Sequence, residues 1–239
     1  MRILALETST EYCSVALWQD GALTQRCELA GQKHSELLMP MIAELLQTTS
    51  HKLQALDGIA FGKGPGSFTG VRIACGVTQG LALGANLPVV GVCTLEALAE
   101  ASGKDKVITA LDARMGELYL AAYEKRAGAW QALIEPCLCK PEQLPKVPGE
   151  GWFGCGSGFA TTLSPNPSPA SGRGRGELLV QRYATQLCGT DAQAIPQAAA
   201  IAVLGAARFA AGQGADAAQA LPLYLRDKVA LTTRERETN

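Results

Sequence analysis

His34 and His51 are the only two histidines, and at 17 positions apart they form neither an HExxH nor an HxxxH metal pair. Neither Ser67 nor Ser157 sits in a G-x-S-x-G elbow, which argues against a hydrolase triad. Eight cysteines are scattered without a CxxC pair. Cys137 and Cys139 lie in a Pro-flanked segment with no second pair to complete a zinc site, so the cysteines read as reduced, small apolar residues. Two carboxylates stand out by placement. Glu7 in ILALETS and Asp112 in VITALDA each end an apolar strand pattern, where a carboxylate can serve catalysis across a cleft or cap the turn that follows.

The glycine-rich stretch GKGPGSFTG, residues 62–70, is the remaining candidate. It is not a P-loop, because Gly62-Lys63 is followed by Gly64 where Ser or Thr is needed. Nor is it G-x-G-x-x-G, since the third glycine would fall on Ser67. What remains is a turn that lets backbone approach closely, with Ser67 as an N-cap and free N–H groups at a helix start. A residual anion or nucleotide site at Gly64, Gly66 and Ser67, with Glu7 and Asp112 nearby, and a purely structural strand-to-helix turn both fit.

The elements that must position these residues follow from periodicity. Short apolar strands precede and follow Asp20-Gly21, a hairpin turn in which both residues tolerate positive φ. A helix, a strand, the glycine turn, a second helix and a strand after Pro88 complete a first half, residues 1–103. The opening recurs from Lys106, which points to an internal duplication of a ββαβα-type unit and a cleft between two α/β halves. The second half, residues 104–226, contains SPNPSPASGRGRGE, 164–177, whose Pro, Ser, Gly and Arg content predicts a mobile surface insertion. Residues 227–239 read as a frayed tail.

With 21 basic and 22 acidic residues, the chain has no broad attraction for a nucleic-acid backbone, so any RNA is held mostly by something else. The apolar runs fall short of a membrane span, and MRILALETST lacks the layout of a signal peptide. No membrane association and a cytoplasmic location are expected.

Two helical stretches carry unusual faces. In HSELLMPMIAELLQ, residues 34–47, Leu37/Leu38, Met41/Ile42 and Leu45/Leu46 make an apolar face that can pack on the chain's own sheet or, being wide, on a partner. Pro40 should kink or offset that helix. The second helix, 68–85, carries Gly76, Gly80 and Gly84 at four-residue spacing, beside Arg72 and Gln79. Each glycine costs roughly 1 kcal/mol against alanine, so something must approach closely.

Taken together, ILALETSTEYCSVALW, HSELLMPMIAELL, GPGSFTGVRIACGVTQGLALG, LDARMGELYLAAY and PLYLRDKVA resemble the TsaB (YeaZ) family over nearly the whole chain. That resemblance implies an actin/hexokinase/Hsp70-like (ASKHA) fold. It also implies a non-catalytic subunit that binds and activates TsaD for threonylcarbamoyl transfer to N6 of adenosine 37 in tRNAs reading ANN codons. The family's opening Glu7-Thr8-Ser9-Thr10 lacks the Asp-x-Gly of ATP-binding relatives. The two histidines that hold the metal of TsaD fall on Thr94 and Leu98, so no metal is expected here. No cofactor is expected to bind strongly to this chain alone; ATP and a metal ion are expected on the partner subunits. The resemblance places a TsaD interface on His34, Leu37, Leu38, Met41, Ile42, Leu45, Arg72, Gly76, Gln79 and Gly80. The same surface would serve a homodimer when TsaD is absent, with TsaE and tRNA joining through the complex. The alternatives are a stand-alone ATPase or kinase using Glu7 and Asp112, or a glycopeptidase-like hydrolase.

Overall fold

The computed structural model describes residues 1–160 and 175–226; the predicted tail and residues 164–174 of the predicted insertion lie outside them. In the first half, β1 (Arg2–Glu7), β2 (Tyr12–Gln19) and β3 (Ala22–Leu29) form an antiparallel meander, and Asp20 and Gly21 both have the positive φ their turn requires. After α1 (His34–Thr48), β4 (Gly58–Gly62) lies parallel to β1. It leads through α2 (Phe68–Ala85) to β5 (Val89–Val92), parallel to β4. The sheet order is β3-β2-β1-β4-β5.

After α3 (Thr94–Ala101) the second half repeats this. β6 (Lys106–Asp112), β7 (Leu118–Arg126) and β8 (Ala129–Cys139) form the meander, and β9 (Trp152–Cys155) and β10 (Leu187–Asp191) follow in parallel. The order β8-β7-β6-β9-β10 matches the first sheet strand for strand, so the likeness of ILALETS and VITALDA marks a real duplication of an ASKHA-like fold. α4 (Arg175–Arg182) and α5 (Ala198–Ala210) complete the described chain. α4 starts three residues inside the stretch predicted as insertion, with Leu179 and, just past its end, Tyr183 buried in the core.

Period-two alternation assigns each face. Leu4 and Leu6 of β1 join the core under α1 and α2, while Ile3 and Ala5 face α5. In β6, Ile108 and Ala110 pack toward α4, and Val107 and Leu111 toward α3. The layers therefore run α1 and α2, first sheet, α5 and α3, second sheet, α4. Sequence halves and packing units differ in one respect: α5 belongs to residues 104–226 yet seats on β1, β2 and β4. Gly205 permits this, since a Cβ there would lie 2.4 Å from that of Ala60. α3 and α5 thus lie between the two sheets. No helix among the described residues is long and apolar enough to cross a membrane.

Candidate functional site

The glycine turn is held against the β1–β2 connection. Ser67 N–H donates to the Ser9 carbonyl at 2.7 Å, the Thr8 hydroxyl donates to the Gly70 carbonyl at 2.8 Å, and Thr94 N–H donates to the Gly64 carbonyl at 2.9 Å. Ser67 caps α2 as expected, its Oγ accepting from Gly70 N–H at 3.3 Å. Three glycines make the fit possible. A Cβ on Gly62 would fall 2.0 Å from a Glu7 carboxylate oxygen, one on Gly66 2.5 Å from the Ser9 carbonyl, and one on Gly70 1.9 Å from the Thr8 carbonyl. Gly64 takes φ +93 and faces Val71 and the Leu223 carbonyl. The close approach inferred from the glycines is thus made within this chain, by backbone at Gly66 and Gly70 and by the Glu7 side chain at Gly62.

Glu7 and Asp112 hold equivalent places and do equivalent things. Glu7 Oε1 accepts from Ser9 N–H at 2.6 Å, and Asp112 Oδ1 from Arg114 N–H at 2.9 Å, each capping the turn two residues on. Their surroundings differ. Glu7 is buried and also faces the Thr94 hydroxyl at 3.4 Å, whereas Asp112 is half-buried, its N–H donating to Ser157 Oγ. Leu98, like Thr94, is fully buried.

Burial pushes the Glu7 carboxyl above its ordinary value of 4.5, against the lowering effect of the hydrogen bonds from Ser9 and Thr94. A carboxyl with a higher pKa in the folded than in the unfolded chain favours folding while protonated. That contribution is complete below the unfolded value and is lost as pH rises through the folded one. Glu7→Gln keeps an acceptor for Ser9 and cannot ionise. Its melting midpoint relative to the parent should therefore climb as pH rises above the ordinary carboxyl value of 4.5. A difference that stays flat in thermal melts over that range would contradict a buried, titrating Glu7.

Among the described residues neither histidine ring hydrogen-bonds to a serine. His34 Nε2 lies 2.8 Å from the Thr10 carbonyl and His51 Nε2 2.8 Å from Gln19 Oε1. Ser67 and Ser157 hydroxyls accept from backbone amides, so no nucleophile–base pair is assembled among these groups.

The residues expected to meet a partner divide in two. His34, Leu38, Met41, Ile42 and Leu45 are buried in the chain's own core, and Leu37 is half-buried against it. The first sheet takes the wide apolar face of α1, and the helix runs through Pro40. Charging Leu38 and Ile42 would test the fold and not a docking surface. On α2, by contrast, Arg72, Gly76 and Gly80 are exposed, and Gln79 is half-buried with its amide donating to the Ala220 carbonyl at 3.2 Å. A Cβ on Gly76, Gly80 or Gly84 would meet nothing within 4 Å. These three glycines form an open strip flanked by half-buried Ile73 and Val77 and by Leu83, which is 79% exposed.

The segment after Ala220 extends this surface. Leu223 N–H donates to the Lys63 carbonyl at 2.7 Å. Three residues on, Arg226 pairs with Glu117 at 2.7 Å and donates to the Ala113 carbonyl at 2.9 Å, so the strand-like tie spans loops of both halves. Tyr224 and Phe68 are about half exposed, and the Arg72 guanidinium stacks 3.2 Å from the Phe68 ring centre and 5.0 Å from that of Tyr224. PLYLR shows little of this role in the sequence. Its only signal is a run of bulky apolar residues after the last helix, without a helical period.

A family model described as TsaD: tRNA N6-adenosine threonylcarbamoyltransferase matches residues 26–233. The tRNA threonylcarbamoyladenosine biosynthesis protein TsaB of Escherichia coli (strain K12) is 38% identical over 96% of both chains. Its namesake from Haemophilus influenzae is 34% identical over 96% of this chain and 95% of its own. A solved structure of YeaZ from Pseudomonas aeruginosa is 36% identical, with a TM-score of 0.79 over 94% of this chain and 99% of its own. Another from that organism, described as an uncharacterized protein with similarity to peptidase YEAZ, is 37% identical with a TM-score of 0.82 over the same shares.

Proposed function

Because this chain belongs to the TsaB family of tRNA threonylcarbamoyladenosine biosynthesis proteins, we propose that it serves that modification as a subunit without chemistry of its own. It binds TsaD and activates threonylcarbamoyl transfer to N6 of adenosine 37 in tRNAs reading ANN codons. ATP and the metal ion belong to TsaD and TsaE, and tRNA is engaged through the assembly. Without TsaD, two copies pair through the same surface.

The open glycine strip on α2 carries this reading. Three glycines within one helix cost roughly 1 kcal/mol each relative to alanine, and no described residue uses the room they leave. A helix of a partner can lie along the strip at short distance, with Leu83 and Val77 to either side and the Arg72–Phe68–Tyr224 stack at its N-terminal end. Met39 on α1, a helix that touches α2, is also exposed. Aromatic and arginine side chains of this kind are enriched among residues that dominate binding energy. A contact over both helices would cover on the order of 800 Å² per partner, the size of a specific interface.

The test is tRNA modification by purified TsaD, with TsaE and the substrates, in the presence and absence of this chain. Modification should rise when the chain is added. Leu83→Asp should leave the fold intact and weaken TsaD co-purification about tenfold or more, the equivalent of about 1.4 kcal/mol. Full modification without the chain would overturn the proposal, as would ATP turnover by the chain alone.

A further inference from the structure

Where the first sheet ends at β5, a cavity of about 430 Å³ opens, lined by Lys63, Gly91, Arg208, Gln213 and Gln219 among others. It takes no part in the contacts of the glycine turn with Thr8 and Ser9 or in the open strip of α2. Backbone parity decides what faces it. Ile59 N–H donates to the Pro88 carbonyl and Lys63 N–H to the Val92 carbonyl, so even-numbered residues here turn their backbone groups to β4 and odd-numbered ones turn theirs outward. Val89 exchanges both its groups with Ala215, at 2.9 Å each, and the Gly91 carbonyl accepts from the Arg208 guanidinium at 2.7 Å. Gly91 N–H is left pointing away from the sheet, with no partner among the described residues.

Lys63 brings charge to the same spot. Its half-buried stem lies along Gly91, where a Cβ would come 3.1 Å from Lys63 Cδ, so the glycine makes room for it. Among the described residues no carboxylate pairs with its ammonium group. The carboxylates on the flanking segments are engaged: Glu96 pairs with Arg208 at 2.5 Å, and Asp216 accepts from Ala218 N–H at 2.8 Å. Gln213 and Gln219 stand exposed at the rim, their side-chain amides also without a partner among the described residues. A peptide strand cannot extend the sheet here, because Ala215 already pairs with Val89 and Arg208 covers the next outward carbonyl. A cation has no carboxylate to meet among the lining residues. An oxyanion with several acceptor oxygens finds an ammonium, a backbone N–H and two amides. The volume falls within the roughly 300–1,000 Å³ of small-molecule sites, more than a bare ion needs.

We propose that this cavity at the edge of the first sheet binds the phosphate group of a small molecule, held by the Lys63 ammonium and Gly91 N–H, with the Gln213 and Gln219 amides closing over it. Arg208 is a positioning residue: tied to Glu96 and to the Gly91 carbonyl, it fixes the strand edge against which the phosphate rests.

The test titrates the full nitrogen-15-labelled chain with inorganic phosphate and, separately, with glycerol 3-phosphate, following amide resonances. Chloride and acetate at matched ionic strength serve as controls. The Gly91 backbone amide and the Gln213 and Gln219 side-chain amides should shift together and saturate. Tighter binding of glycerol 3-phosphate identifies an ester as the occupant, and tighter binding of inorganic phosphate the free ion. Lys63→Met keeps an apolar stem over Gly91 and removes the charge, and should weaken binding about tenfold or more, the equivalent of one lost charge-assisted hydrogen bond. Lys63→Arg should retain most of it. Should Lys63→Met fail to fold, the natural chain decides by whether the shifts centre on Gly91. No saturating shift there, equal binding by parent and Lys63→Met, or equal shifts with acetate or chloride, which would mean an adventitious ion only, would each overturn the proposal.

Discussion

Gly70→Ala is expected to lower the thermal midpoint of the isolated chain steeply, or to leave little soluble protein. The methyl group would enter 1.9 Å from the Thr8 carbonyl oxygen, and its neighbour there is backbone that cannot swing aside as a side chain would. The same carbonyl region is fixed from the other side, because Thr8 Oγ1 already donates to the Gly70 carbonyl and Ser67 N–H to Ser9. Relief requires moving the start of α2 off the β1–β2 connection, which breaks those bonds together. A cost of about 3 kcal/mol or more follows, which for a chain of this size corresponds to a midpoint roughly 6–12 °C lower. A Gly70→Ala protein melting with the parent would mean that the turn does not rest on Thr8.

That contact explains why the glycine turn looked like a ligand loop in the sequence. Glycines that admit a phosphate and glycines that admit a backbone carbonyl obey the same steric rule, and GKGPGSFTG satisfies it for either. Here the carbonyls are those of Thr8 and Ser9, 62 and 57 residues upstream of Gly70 and Gly66, which no local pattern announces. Local signals were otherwise readable. Asp20-Gly21, Ser67 as N-cap and the repeat of the strand-end carboxylates in β1 and β6 each depend on neighbours close in sequence.

What escaped depends on partners distant in sequence. Periodicity showed that α1 has a wide apolar face but not that the sheet consumes Leu38, Met41, Ile42 and Leu45, leaving α2 the more open surface. Nothing in Ala198–Ala210 says that it belongs on the first sheet, since an alanine-rich face fits any flat surface; the determining contact is Gly205 against Ala60. β10 was overlooked because its Leu187–Asp191 run, LCGTD, is short and mostly exposed, without a clean alternation.

The glycines of α2 also supply a prediction of opposite sign to Gly70→Ala. Gly76→Ala, Gly80→Ala and Gly84→Ala combined should stabilise the isolated chain while impairing its association with TsaD. In the monomer each new methyl projects into open space and replaces a poor helix former by the best one. The gain is roughly 1 kcal/mol per position, or a midpoint raised by about 2–4 °C for each kcal/mol. At a close helix crossing the same methyl groups would hold the partner off. Overpacking of about 1–3 kcal/mol at each position would lower affinity about 100-fold or more. Melting must be followed at concentrations where the chain is monomeric, because a homodimer through this strip would add its own stability to the parent. A triple variant that melts higher and still binds TsaD like the parent would move the interface off α2. One that melts lower would mean that the strip is already packed within the chain. Stabilisation with loss of binding is the combination that only a reserved docking strip produces, since a strip that served folding could not gain from alanine and an idle one could not lose by it.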